Sequence, residues 1–179
     1  MTAPLTPDLR SLLDLFYSSP DELGQFRECV AAELPALYRQ LLAHDKHMTV
    51  ACEARCGGPV EVQVLSVQRT ATHYSRKIVL TRPQDGRGVL VGLVRLNLSC
   101  LSDDVRREIE SERVPLGRVL IEHNVLRKVR LLSLWRVTPS GELRALLGLA
   151  DGEDCYGRTA LIYCDGVPAV ELLETVNAE

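Results

Sequence analysis

The chain has 179 residues, with 21 lysines and arginines against 24 aspartates and glutamates, so its formal net charge is −3. This length predicts about one domain with a sizeable core, and 46% hydrophobic residues with a small net charge exclude disorder. The near-neutral balance lacks the basic surface expected of a nucleic-acid-binding protein. No apolar run approaches the roughly 20 residues that span a bilayer, and no signal peptide is evident. We expect a cytoplasmic protein without membrane or nucleic-acid partners.

Residues 1–179 are predicted to form a single domain, in which an N-terminal helical segment, 1–42, precedes the sheet region, 43–176. Thr6 and Pro7 are typical of a helix start, and a second start follows at Ser19. The apolar residues after each start recur at helical spacing, which predicts two short helices.

From Met48 the hydrophobic period changes to two. This predicts a strand over Met48–Cys56, followed by a hairpin partner around Val60–Val64. On a strand, Cys52 and Cys56 lie ~13 Å apart, too far to form a disulfide with each other. Because the chain is long and has no export signal, we expect its six cysteines to be free, mostly buried thiols.

The remainder of the chain alternates predicted strands with short helices. Further strands are expected at Tyr74–Thr81, Val89–Leu98 and Leu126–Val137, with a last hairpin over Tyr156–Val176. Helices are expected to start at Ser102, Pro115 and Ser140. Hairpin-linked strands with helices around them predict an α+β fold with an antiparallel sheet.

Two charged residues fall where the strand patterns predict apolar side chains. Arg76 shares a strand face with Tyr74 and Ile78, and Glu171 lies on a last strand that is apolar on both faces. A buried charge costs several kcal/mol unless it is paired or bound by a ligand. One interpretation is a structural ion pair, or edge strands whose charges reach water. The other is a closed polar site, in which Arg76 grips a carboxylate bidentately and Glu171 handles a hydroxyl or a proton.

A helix start offers a further anion-binding feature. Pro115 at a first-turn position leaves the amides of Leu116 and Gly117 free, and such helix starts bind carboxylates. The alternative is a packed turn in which the glycine permits a close approach.

Other candidate groups indicate no metal or cofactor chemistry. His44 and His47 are three residues apart, but no third ligand motif accompanies them, so we predict no metal site. No nucleotide-binding or covalent-nucleophile motif is present, and we predict no cofactor. Lys128, Arg130 and Arg136 form a basic strand face without interleaved aromatic residues, which indicates a solvated surface.

Several short segments, kept in order and spacing, resemble the chorismate pyruvate-lyase (4-hydroxybenzoate synthase) family. Pro115–Leu120 (PLGRVL) is similar to the P-L-G-R-x-L motif of that family, and Ser75–Leu80 (SRKIVL) to its R-E-I-x-L strand. Tyr156–Arg158 with Pro168–Leu172 resembles its closing G-R and P-x-x-E-L hairpin. Leu42–Thr49, which ends in Met-Thr, is similar to its entry strand. The middle and C-terminal segments are closer to the archaeal and actinobacterial branch than to the enterobacterial enzyme.

The resemblance implies a sheet of about six strands with helices on one side and helical flaps over a buried ligand site. It also implies a cofactor-free lyase that converts chorismate to 4-hydroxybenzoate and pyruvate, in aromatic biosynthesis or secondary metabolism. Arg76 and Glu171 would be the catalytic and substrate-binding side chains. Met48 and Leu116 would bind the substrate through backbone groups, with Gly117 beside Leu116. We expect a monomer or a small homo-oligomer.

Two alternatives remain open. Besides a chorismate lyase, the chain could be a non-catalytic small-molecule-binding domain of the same fold, as in the effector-sensing domains of some transcription regulators. It could also be a lyase for a related chorismate-derived acid. Turnover of chorismate distinguishes the lyase from the binding domain, which would bind an effector tightly without converting it.

Overall fold

A computed structural model describes residues 8–125 and 127–178. In this part of the chain the α-helices are α1 (Leu9–Leu13), α2 (Ala36–Leu42), α3 (Met48–Cys56), α4 (Asp103–Glu110), α5 (Leu116–Glu122) and α6 (Gly141–Leu147). The strands are β1 (Gly24–Cys29), β2 (Glu61–Arg69), β3 (His73–Thr81), β4 (Gly88–Asn97), β5 (Arg127–Pro139), β6 (Cys155–Cys164) and β7 (Val167–Val176). The predicted helix start at Thr6 and Pro7 lies outside the described residues, and Asp8 caps α1.

The strands form one antiparallel sheet in the order β1-β5-β6-β7-β4-β3-β2. This confirms the predicted α+β fold with an antiparallel sheet, although the described residues contain seven strands where about six were predicted. Because β7 is the central strand, both of its faces are buried. None of the described helices has the length and hydropathy needed to cross a bilayer.

Helices cover both faces of the sheet. On the front face, which carries Arg76 and Leu172, helices α2 to α5 pack against the strands. On the back face, which carries Leu93 and Leu173, helices α1 and α6 pack through Leu12, Leu13, Leu143 and Leu147. The prediction that helices lie on one side only was wrong, because α1 and α6 each present leucines to the alternate residues of the same strands.

Residues 48–56 form helix α3, not the predicted strand. Met48, Thr49 and Cys52 are the buried residues of this segment, a helical spacing, whereas Val50 is 43% exposed although a strand would bury it. Gly57 ends the helix with a φ of 70°, a conformation that glycine adopts without strain. Small side chains fit both periods, so alternation alone was misleading here.

The N-terminal segment is not wholly helical as predicted, because it contains strand β1. β1 pairs with the second half of β5, and Phe26 meets Trp135 edge-on with ring centroids 6.3 Å apart. This pairing is a tertiary interaction over more than a hundred residues, which local helix signals cannot register. The later strands and helices lie where the sequence predicts them.

Candidate functional site

A small cavity lies between the front face of the sheet and the starts of helices α3 and α5. Met48 and Thr49 line it from α3, and Leu116 and Gly117 line it from α5. Two charged side chains, Arg158 and Glu174, line its floor. The rest of the floor is formed by apolar strand residues: Ile78, Leu80, Leu90, Val94, Val129, Ile162 and Leu172. The cavity has a volume of about 30 Å³ available to water, which is room for about two water molecules. The helices therefore close tightly over the sheet.

Arg158 joins the floor of the cavity to the loop between α2 and α3. Its side chain is fully buried, and Nε donates to Oε2 of Glu174 at 2.8 Å. The other two nitrogens donate to loop carbonyls: Nη1 to His44 at 2.8 Å and Nη2 to Lys46 at 2.9 Å. Every nitrogen of this guanidinium has an acceptor, so Arg158 holds the loop that leads into α3.

Arg76 lies on the same face and has too few partners. It is fully buried, and Nη1 donates to the carbonyl of Ile109 in α4 at 3.3 Å. Nε and Nη2 have no hydrogen-bond partner among the described residues. Burial lowers the pKa of Arg76, an effect that Tyr74 and Glu112 oppose. An arginine nonetheless stays charged, so two charged donors are buried without an acceptor.

Arg76 lies beside the cavity, next to two of the strand residues that line it. In the sheet register Arg76 pairs with Val94, which lines the cavity, and Ile78 two residues along β3 lines it too. Above Arg76, the link between α4 and α5 places Glu112 at a φ of 63°, a left-handed conformation uncommon for a non-glycine residue. Glu112 accepts a hydrogen bond from the hydroxyl of Tyr74 at 3.1 Å. A polar cluster thus adjoins the apolar cavity.

His47 forms part of the cavity wall as a neutral imidazole. Its Nε2 accepts a hydrogen bond from Nε of Arg127 at 2.8 Å, which requires that nitrogen to carry no proton. Burial lowers the pKa of His47 to about 4, and the positive charges of Arg127 and Arg158 act in the same direction. The fixed cations beside His47 therefore act with burial to keep it neutral.

Helices α3 and α5 meet above the cavity through one ion pair and one close contact. Arg118 of α5 pairs with Glu53 of α3. A Cβ on Gly117 would lie 2.9 Å from Oγ1 of Thr49, closer than real contacts allow. Gly117 is therefore required for the packing of α5 on α3, as the packed-turn alternative anticipated.

Glu171 is not part of this site, because its side chain lies on the back face. Arg95 holds it bidentately there, with Nε–Oε2 at 2.5 Å and Nη2–Oε1 at 2.8 Å. Hydrogen bonding to Glu171 raises the pKa of Arg95. Of the predicted site residues, the structure brings Met48, Leu116 and Gly117 to the cavity and Arg76 next to it, and it separates Glu171 from them by the sheet.

Arg158 and Glu174 are the polar cavity residues that sequence reasoning missed. Arg158 belongs to a segment that resembles a family motif, and this was its only signal. Glu174 lies three positions after Glu171, so the two side chains emerge on opposite faces of β7. Because β7 is apolar on both faces, alternation cannot tell which carboxylate faces the cavity.

Solved structures resemble this fold. PhnF from Mycobacterium smegmatis matches at 16% identity over 73% of this chain and 63% of that chain, with a TM-score of 0.51. The effector domain of PhnF, from the same organism, matches at 16% identity over 73% of this chain and 87% of that chain, with a TM-score of 0.50. A GntR-family transcriptional regulator from Bacillus cereus matches at 7% identity over 65% and 90%, with a TM-score of 0.44. No protein family profile and no curated protein sequence matches the chain.

The chain has the wider chorismate lyase-like fold, as found in ligand-binding domains of regulators. The prediction of a chorismate pyruvate-lyase was wrong, as was the prediction of an enzyme of aromatic biosynthesis, because the matching structures are regulators and their effector domains. The geometry explains the error: Arg76 and Glu171, the presumed catalytic pair, lie on opposite faces of the sheet.

Proposed function

We propose that this chain is an effector-binding domain that takes up a small anionic molecule on the front face of the sheet. The observation that carries the proposal is the buried guanidinium of Arg76 with two unused donors. The likeness of the fold to the effector domain of PhnF supports a binding role rather than catalysis. Met48, Leu116 and Gly117 supply the apolar wall against which the rest of the ligand packs.

The two unused donors of Arg76 suit one acceptor group. Nε and Nη2 lie on the same edge of a guanidinium, and their N–H bonds are nearly parallel. A carboxylate or a phosphate accepts from both at once, in a bidentate pair that is stronger than a neutral hydrogen bond. The ligand is therefore an oxyanion attached to a small, partly apolar body.

Binding requires the helices above the cavity to move, because the present volume is too small for an organic anion. The loop before α3 is held to the sheet by Arg158, whereas α5 is joined to α3 by the Arg118–Glu53 pair and packing at Gly117. We infer that the α4–α5 unit moves, because the Arg118–Glu53 pair that joins it to α3 is partly exposed whereas the hydrogen bonds of Arg158 are buried. Its displacement is the change that ligand binding would transmit.

Calorimetric titration of the purified chain tests the proposal. The probes are inorganic phosphate, malate, citrate and glucose 6-phosphate, with uncharged glucose as a reference. We expect saturable binding of at least one anion and none of glucose. Arg76→Met should weaken that binding about 30-fold or more, because a buried charge contact is lost.

Arg130→Met is the matched control, because Arg130 is an exposed cation on the other side of the sheet. It should leave the affinity unchanged. Equal affinity for Arg76→Met and the unaltered chain, or binding of glucose as tight as that of the anions, would contradict the proposal. Failure of every anion to bind would contradict it as well.

A further inference from the structure

A second cavity, which shares no lining residue with the first, carries two thiols. Cys52 and Cys56 both line it at the C-terminal end of α3, with Arg55 and Arg82 beside them. Cys52 is 2% exposed, whereas Cys56 is partly exposed, so solvent reaches the pair from the Cys56 side. Both are free thiols.

The helical form of residues 48–56 changes what this pair can do. On the predicted strand the thiols would be ~13 Å apart. On a helix, residues four apart share one face with Cβ atoms about 5–6 Å apart. A disulfide needs Cβ atoms about 3.5–4.5 Å apart, so it would distort the helix. Two metal–sulfur bonds of about 2.3 Å each let the sulfurs lie up to about 4.6 Å apart, so thiols on adjacent helical turns can share one ion without the close Cβ approach that a disulfide needs.

We propose that Cys52 and Cys56 bind one soft, thiophilic monovalent ion in two-coordinate geometry, with Cu(I) as its representative. Thiolates are the ligands that select such ions. No group of three or more histidine, cysteine, aspartate or glutamate side chains in the described residues could hold a metal, and zinc prefers four ligands. Two thiolates with one monovalent ion carry a net charge of −1, which the guanidinium of Arg55 balances, while Arg82 beside it is paired with Asp85.

Binding exchanges protons for the ion and involves no redox step. Each S–H bond breaks as a sulfur–metal bond forms, and two protons leave to solvent. Burial raises the pKa of both thiols, and for Cys56 the charges of Arg82 and Arg55 oppose that shift. A thiol is ordinarily protonated at neutral pH, so binding to both sulfurs releases two protons and the affinity should rise about 100-fold per pH unit near neutrality.

Anaerobic competition of the reduced full chain against a colorimetric Cu(I) chelator tests this inference. We expect one tightly bound ion per chain and a release of two protons. Cys56→Ser, at a partly exposed position, should bind Cu(I) about 100-fold or more weakly, because the second ligand on the same scaffold is lost. Cys52→Ala should behave alike, and circular dichroism checks that both variants are folded.

Cys100→Ser is the matched control, because Cys100 is also a partly exposed free thiol but lies on another element. Cys100→Ser should bind Cu(I) as tightly as the unaltered chain. If the unaltered chain binds Cu(I) no more tightly than Cys56→Ser, or if Cys100→Ser abolishes binding, the inference fails. It stands or falls independently of the effector site, because Arg76 and the first cavity contribute nothing to it.

Discussion

The two faces of the sheet differ in whether their charged side chains have hydrogen-bond partners. On the back face the charges are paired: Glu171 is held bidentately by Arg95, and the largely buried Lys77 donates to the exposed Glu142 at 2.7 Å. On the front face Arg76 retains two buried donors without a partner. The buried side-chain nitrogens and oxygens that lack a partner in residues 8–125 and 127–178 all belong to that front side, the third being Nε2 of His44.

This contrast separates charges that serve the fold from charges available to a ligand. A paired carboxylate needs nothing further, so the back face is complete as it stands. A buried guanidinium with two unused donors costs free energy in the free protein, and an incoming anion offsets that cost. Burial alone therefore does not indicate a functional charge; the number of unused donors does.

Arg158 is the exception on the front face, and its replacement should have the largest effect. Arg158→Met leaves Glu174 buried without its cation and frees the loop carbonyls. We expect a loss of about 4 kcal/mol in the free energy of unfolding, measured in urea. Arg136→Met, which removes an exposed pair with Asp154, should change little. A loss below about 1 kcal/mol for Arg158→Met would mean that the loop is held by other contacts.

Arg95→Met tests the back face. The Arg95 side chain is 23% exposed and that of Glu171 is 8% exposed, so removal of the cation leaves a nearly buried carboxylate unpaired. We expect a loss of about 2 kcal/mol in urea unfolding, less than for Arg158 because solvent reaches this pair. Unchanged stability would show that Glu171 has no need of Arg95, and the contrast between the faces would fail.

The front face should also be the pH-sensitive one. The pKa of His47 is about 4 in the fold against its ordinary 6.5, so the unfolded chain takes up the proton first as the pH falls. Stability is full above pH 6.5 and declines toward pH 4, with a loss of about 1 kcal/mol between pH 7 and 5 after allowance for partial exposure. The positive Arg127, Arg158 and Lys46 surround this loop. His47→Gln should flatten the profile, and an equally steep profile in that variant would contradict the assignment.

The sequence predicted most elements and the unusual position of Arg76, because an arginine in an apolar strand row is visible in the pattern. It could not assign residues 48–56 to a helix, since alanine, cysteine and threonine satisfy either period. It could not choose between Glu171 and Glu174, since the central strand is buried on both faces. Whether a buried charge has a partner depends on contacts such as Arg95 with Glu171, which come from different strands.

The unfolding free energy of Arg76→Met against the unaltered chain, measured in urea without added anions, tests the central claim most directly. If Arg76 is retained for a ligand, the apolar replacement should be at least as stable as arginine, because a poorly satisfied buried charge is removed. A loss of about 2 kcal/mol or more would show that Arg76 stabilises the fold, and would contradict its assignment to a ligand.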